Sequence, residues 1–175
     1  VGCRGTGASL LEMTAGTLGA TPLLPRIVRM APGQVNGAGK MPFMNTPNPT
    51  VRLKNAWRSS HPWIFQKLVE KPAAKPKSGT LVEVVGVDGE WIGRGFYNGH
   101  SRIAVRVLET HPDIPVDAGW FSRKIADAVS LRRDVLKLDA VSDAWRVVHS
   151  EGDGLSGLVV DRYGDLIVVE FFAAG

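Results

Sequence analysis

Gly93-Arg94-Gly95-Phe96-Tyr97-Asn98 sets a guanidinium, two aromatic rings and a side-chain amide around two glycines. These are the groups a single-stranded nucleic acid engages. A cation pairs with phosphate, an aromatic ring stacks on an unpaired base for roughly 1–3 kcal/mol, and glycine lets a backbone come close. In an extended segment the side chains alternate, so Arg94 and Phe96 share one face while Tyr97 takes the other. One of the two rings therefore belongs to a core, and core packing competes with base stacking for either ring. His61-Pro62-Trp63-Ile64-Phe65 holds a proline-restricted turn beside two large aromatics, with Arg58 and Lys67 close in sequence. On physics alone it is a hydrophobic plug in which a buried indole N–H needs an acceptor, usually a nearby backbone carbonyl. Arg102 and Arg106 add two more cations nearby. The candidate RNA-contacting set is His61, Trp63, Arg94, Phe96, Tyr97, Asn98, Arg102 and Arg106.

Other chemistries fare worse. Glu151-Gly152-Asp153-Gly154-Leu155-Ser156-Gly157 looks like an acidic metal loop, but it lacks the DxDxDG run and the closing glutamate of a calcium loop. Turn formation accounts for its glycines, with Asp153 capping nearby backbone N–H groups. No metal ligand is assigned. His149-Ser150-Glu151 cannot converge as a catalytic set, since successive strand residues face opposite ways. The GxG at Gly93 lies inside a β-rich run and opens no helix, so it fails the structural test for a dinucleotide site. Cys3 is the only cysteine, which precludes a disulfide or a cysteine-based zinc site within the chain and fits a reducing, cytoplasmic location. No apolar run reaches the length of a membrane span.

The elements that must position these groups are short. Residues 1–50 carry eight Gly, six Pro and only five charged side chains, with no sustained period. They read as a disordered leader or as the product of a start placed upstream of Met41 and Met44. From Val51 the expectation is a strand to Asn55, a tight turn or one helical turn at His61–Phe65, an extended Lys67–Glu70, and a Lys/Pro-rich loop over Lys71–Ser78. A hairpin turning at Asp88-Gly89 joins Thr80–Val87 to Glu90–Tyr97, because both central residues of that turn take positive φ. In Arg102–Glu109, Ile103, Val105 and Val107 fall on one face and Arg102, Ala104 and Arg106 on the other.

Beyond the break at Pro112–Pro115, Phe121, Ile125, Ala128 and Val129 recur at helical spacing and predict a helix over Trp120–Leu138. Strands follow at Arg146–His149, Gly157–Asp161 and Leu166–Phe172. The last leaves Val168, Val169, Phe171 and Phe172 in need of cover. Val51–Thr110 holds ten Lys/Arg against five Asp/Glu, and His111–Gly175 holds seven against eleven. The basic character is local and suits a polyanion, because each neutralised phosphate releases a counterion.

From Val51 to Gly175 the chain resembles the amino-terminal part of the S-adenosylmethionine-dependent large-subunit ribosomal RNA cytosine methyltransferases. The matching segments, in order, are Val51-Arg52-Leu53, His61–Phe65, Gly93–Asn98, Ser101-Arg102-Ile103, Arg106-Val107-Leu108, Glu151–Leu155 and Val160-Asp161-Arg162-Tyr163-Gly164. Gly99 stands where that family commonly has proline.

The resemblance implies a mainly β, α+β chain: a PUA-like pseudo-barrel that binds RNA over 51–115, then the start of a small β/α/β linking domain over 116–175. It implies ribosomal RNA as partner and methylation of cytosine carbon 5 by the full-length protein. It also implies S-adenosylmethionine as that protein's cofactor, with no cofactor residue in this chain. Carbon-5 methylation needs a cysteine nucleophile, which Cys3 in a leader does not supply, so the chain is expected to be catalytically silent. A free-standing PUA-type RNA-binding module is the alternative. Nothing in the sequence fixes an oligomeric state.

Overall fold

The computed structural model describes residues 28–30 and 47–174. Cys3, the candidate starts at Met41 and Met44 and most of the leader lie outside the described residues. The described strands run in chain order as β1 (Val28–Met30), β2 (Thr50–Arg52), β3 (Trp63–Phe65), β4 (Leu81–Val85), β5 (Trp91–Tyr97), β6 (Ile103–Glu109), β7 (Ala144–His149), β8 (Leu158–Tyr163) and β9 (Leu166–Phe171). A single helix, α1 (Ala118–Ser130), separates β6 from β7.

β2-β4-β5-β6-β3 form one sheet, antiparallel except for β2 beside β4. Its two edges are drawn together. Lys54 N donates to Leu68 O at 2.8 Å, Glu70 N donates to Arg52 O at 2.9 Å, and Leu53 bridges Val69. The sheet thereby curls into a pseudo-barrel. Val51, Leu53, Ile64, Val82, Val84, Tyr97, Val105 and Val107 fill its interior. Alternation explains which residues turn inward: Val82 and Val84 are buried, with Leu81, Glu83 and Val85 between them facing out.

The sequence predicts a tight turn or one helical turn at His61–Phe65, but Trp63–Phe65 is an edge strand paired antiparallel to β6. Lys67–Glu70, expected extended, begins instead as a tight turn over Gln66–Leu68 before Val69 bridges back. In both places long-range pairing overrides the local pattern. The hairpin lies at Asp88-Gly89 as expected, yet Gly89 alone of that pair has positive φ, at 83°. Gly86 N donates to Glu90 O at 2.8 Å, and the ladder shifts register at Val84/Val85, so the loop is longer than a two-residue turn.

β1-β9-β8-β7 form the second sheet, antiparallel throughout. β9 is not left as a bare edge: Val28–Met30 pair with Ile167–Val169. α1 starts where Asp117 Oδ1 accepts Trp120 N at 2.8 Å, an N-cap. It gives way to one wide turn at Leu131–Val135 and ends near Lys137, whose φ is +53°. Trp120 and Ala128 are its buried residues, while Ile125, expected on the apolar face, is 39% exposed. The helix is rolled toward Trp120, whose indole Nε1 donates to Glu109 Oε2 at 2.9 Å.

Candidate nucleic-acid interface

Register gathers Arg94, Phe96, Arg106 and Trp63 on the outer face of β5, β6 and β3. Phe96 pairs with Arg106, and Arg106 pairs with Trp63. The sequence left open whether the arginines converge; the register brings Arg94 and Arg106 to one face, and that face is covered by the second unit. Phe96 stacks on Phe121 of α1, with centroids 6.3 Å apart and rings 15° from parallel. Arg94 donates from Nε to Glu83 Oε1 at 2.7 Å and from NH1 to the Ile114 carbonyl at 2.6 Å.

Arg106 donates from NH1 to Glu151 Oε1 at 2.8 Å and to Ser156 Oγ at 3.3 Å, with its guanidinium 5.0 Å from the Trp63 ring centroid. Trp63 Nε1 donates to the same Glu151 oxygen at 2.8 Å. The indole's acceptor is thus a carboxylate 88 residues away, not a neighbouring carbonyl. Tyr97, the other candidate ring, is 1% exposed in the barrel core. The geometry corrects the sequence reading here: Arg94, Phe96, Arg106 and Trp63 join the two units, and Tyr97 packs the barrel.

The glycines carry a similar correction. A Cβ on Gly95 would stand 2.1 Å from Arg106 O and 2.8 Å from Val107 Cα. The backbone that approaches there is β6, and no ligand is needed to explain the glycine.

Glu151 is the hub of this junction. Burial raises its pKa, but hydrogen bonds from Ser150, Ser156 and the Trp63 indole outweigh that effect and bring it down to about 2. Burial lowers the pKa of Arg106, with Glu151 pulling the other way. Glu83 behaves as Glu151 does, its burial overcome by hydrogen bonds from Arg94, Asn48 and Trp91. Asp153 accepts both Arg132 NH1 at 2.6 Å and NH2 at 2.9 Å, besides the His149 backbone N–H. The Glu151–Gly157 loop is thus a structural junction, and no group of three or more metal-ligating side chains occurs among the described residues.

The remaining candidates sit elsewhere. His61 is exposed, edge-on to Trp63 at 4.3 Å. Arg102 is exposed, its carbonyl accepting from Gln66 N at 2.8 Å. Asn98 Oδ1 accepts from Ser78 Oγ at 3.3 Å and from His100 N at 3.0 Å, shaping the turn before β6.

The lysine loop, missed as a site at the sequence level, meets that turn. Lys75 Nζ donates to Gly99 O at 3.0 Å, and Gly79 N donates to Tyr97 O at 2.8 Å. Lys67, Lys71, Lys75, Lys77 and Arg102 are all exposed, and none forms an ion pair among the described residues. Glu70 is the only acidic residue in 66–79 and 98–102. The readable signal was a run of lysines without compensating carboxylates.

The described residues contain no glycine-rich turn leading from a strand into a helix; α1 is preceded instead by the Asp117 cap. They do not fit a nucleotide-type cofactor cradle, and no residue here is assigned to S-adenosylmethionine.

Residues 52–110 match a family model described as a PUA-like domain. The chain is 34% identical over 118 residues to ribosomal RNA large subunit methyltransferase I of Vibrio cholerae serotype O1, covering 67% of this chain and 29% of the relative. The protein of the same name from Alteromonas mediterranea is 36% identical over 118 residues, covering 67% and 30%. That from Shewanella amazonensis is 36% identical over 115 residues, covering 66% and 29%. The chain thus spans about 30% of the length of the curated relatives it matches. A solved candidate methyltransferase complexed with SAH superposes with a TM-score of 0.52 at 13% identity, covering 68% of this chain and 30% of that one. At that identity the likeness is one of fold.

Proposed function

From a chain whose residues 52–110 form a PUA-like domain and which resembles part of the large-subunit ribosomal RNA methyltransferases, we propose the following role. It is the RNA-holding amino-terminal portion of a cytoplasmic, S-adenosylmethionine-dependent enzyme that methylates carbon 5 of a cytosine in large-subunit ribosomal RNA. Residues 51–115 hold the RNA, and 116–175 begin the domain that links them to the catalytic part. The observation that carries the reading is the uncompensated cation cluster at one end of the barrel: Lys67, Lys71, Lys75, Lys77 and Arg102. Flexible lysines on a loop and a turn suit phosphates, which need charge more than fixed geometry. His61 lies exposed next to Trp63 and is a further candidate for base contact.

The test is RNA binding by the whole chain across a salt series, with duplex DNA of equal charge as control. The wild type is expected to prefer RNA. Replacing Lys67, Lys75, Lys77 and Arg102 together with Ala should weaken binding and lower the log-log salt slope by about 0.7 per lost contact. Replacing Arg94 with Ala should leave that slope unchanged. An unchanged slope in the fourfold variant rejects this face.

A further inference from the structure

A cleft of about 330 Å³ opens between the two units, apart from the lysine cluster. Trp57, Pro62 and Leu108 give it apolar walls, and Ser60, Thr110 and Glu151 give it polar edges. This volume lies at the small end of ligand-binding cavities.

No Lys or Arg lines its interior, so a phosphate would find no counter-charge there. The mouth differs. Arg58 is exposed, sitting in sequence between the lining residues Trp57 and Ser59. Lys124 Nζ lies 3.6 Å from the point where a side chain on the lining residue Gly154 would begin. An interior whose one charged lining side chain is the Glu151 carboxylate, with cations beside its lining residues, suits a nucleotide whose base enters and whose phosphates stay outside.

The edge chemistry selects among bases. The hydrogen bonds from Trp63, Arg106 and Ser156 all end on Glu151 Oε1, and Oε2 takes part in none of those three, Ser150 being the carboxylate's remaining side-chain donor. An ionised carboxylate is an acceptor only, so it pairs with an exocyclic amine and repels a carbonyl. We propose that this cleft is a subsite for one unpaired RNA base bearing an exocyclic amine, received between the walls at Trp57 and Leu108 and read by Glu151. The inference rests on the RNA-holding role above.

Cytosine and uracil are the sharpest probe, because they share a ring but present different edges to an acceptor: cytosine an exocyclic amine, uracil a single N3–H flanked by two carbonyls that repel a carboxylate. Binding of oligocytidylate and oligouridylate of equal length is compared for the wild-type chain and for Thr110→Trp and Ser60→Trp, each of which fills the cleft. Oligocytidylate should bind the wild type roughly tenfold more tightly, within the range one good base contact discriminates. Both filled variants should bind the two oligomers alike, at the wild-type affinity for oligouridylate. Equal wild-type binding of the two, or a preference that survives both filled variants, overturns the subsite and leaves the RNA-holding role standing. Binding of neither oligomer overturns both. The wild-type comparison decides the matter even if a variant fails to fold.

Discussion

Glu151 makes the sharpest single-residue case, because three donors from different parts of the chain meet on one of its oxygens. Its folded pKa of about 2 lies below the ordinary 4.5. A carboxylate depressed in this way contributes stability that is fully present above pH 4.5 and is lost as the pH falls toward 2. The wild type should therefore exceed Glu151→Gln in stability by on the order of 2 kcal/mol at neutral pH. That is less than the full linkage value of 1.36 kcal/mol per unit, since water still reaches the group. Urea midpoints taken from pH 6 to pH 2.5 should converge; parallel curves would reject the role. Alternation made the shared face of Arg94 and Phe96 legible in the sequence, but not that Arg106 and Trp63 join it, which only the cross-strand register shows. What covers that face was not legible, because the partners Glu151, Phe121 and Ile114 belong to a part of the chain whose docking no local pattern encodes.

At the scale of elements, the β5–β6 ladder depends on the absence of a side chain at Gly95. An alanine there would press on Arg106 O and Val107 Cα, both backbone atoms that cannot move aside without breaking the pairing. Gly95→Ala should destabilise the protein by about 1–3 kcal/mol, the usual cost of overpacking, read as a lower thermal midpoint. Gly89→Ala meets nothing within 4 Å, and its only cost is the positive φ of 83°; it should be the milder of the two.

The strands were legible wherever period 2 ran for five residues or more, as in β4 to β6. Of the three-residue strands, only β2, overlapping the strand expected from Val51 to Asn55, was anticipated. β3 and β1 carry too few residues to show a period and exist because β6 and β9 offer unpaired backbone. β1 yields its own test. A chain shortened to begin at residue 47 bares the outer edge of β9, with Phe171 45% exposed at its end. Open edges of this kind pair with one another, so the shortened chain should self-associate with rising concentration in sedimentation while the full chain does not.

Over the whole molecule, charge and packing act together. Val51–Thr110 has a surplus of five cations and His111–Gly175 a surplus of four anions, from ten against five and from seven against eleven. The halves attract, and the junction gives that attraction a fixed geometry: a carboxylate from the acidic half grips an arginine and an indole of the basic half. Leu81, Leu108 and Ile114 pack with the second core beside it. The two sheets should unfold as one cooperative body, with equal calorimetric and van't Hoff enthalpies. Glu151→Ala leaves the Trp63 N–H without its acceptor inside the junction and Arg106 with Ser156 Oγ alone, at a cost of about 1–3 kcal/mol for an unsatisfied group. That loss falls on the contact between the units and spares the barrel core, so melting of this variant should split, with β7 to β9 opening before the barrel. Hydrogen exchange would then show protection falling in Val147–Val148 and Val159 ahead of Val82 and Val84. Uniform loss across both sheets would mean that the halves are held together by their shared apolar packing, with Glu151 contributing no more than an ordinary surface pair.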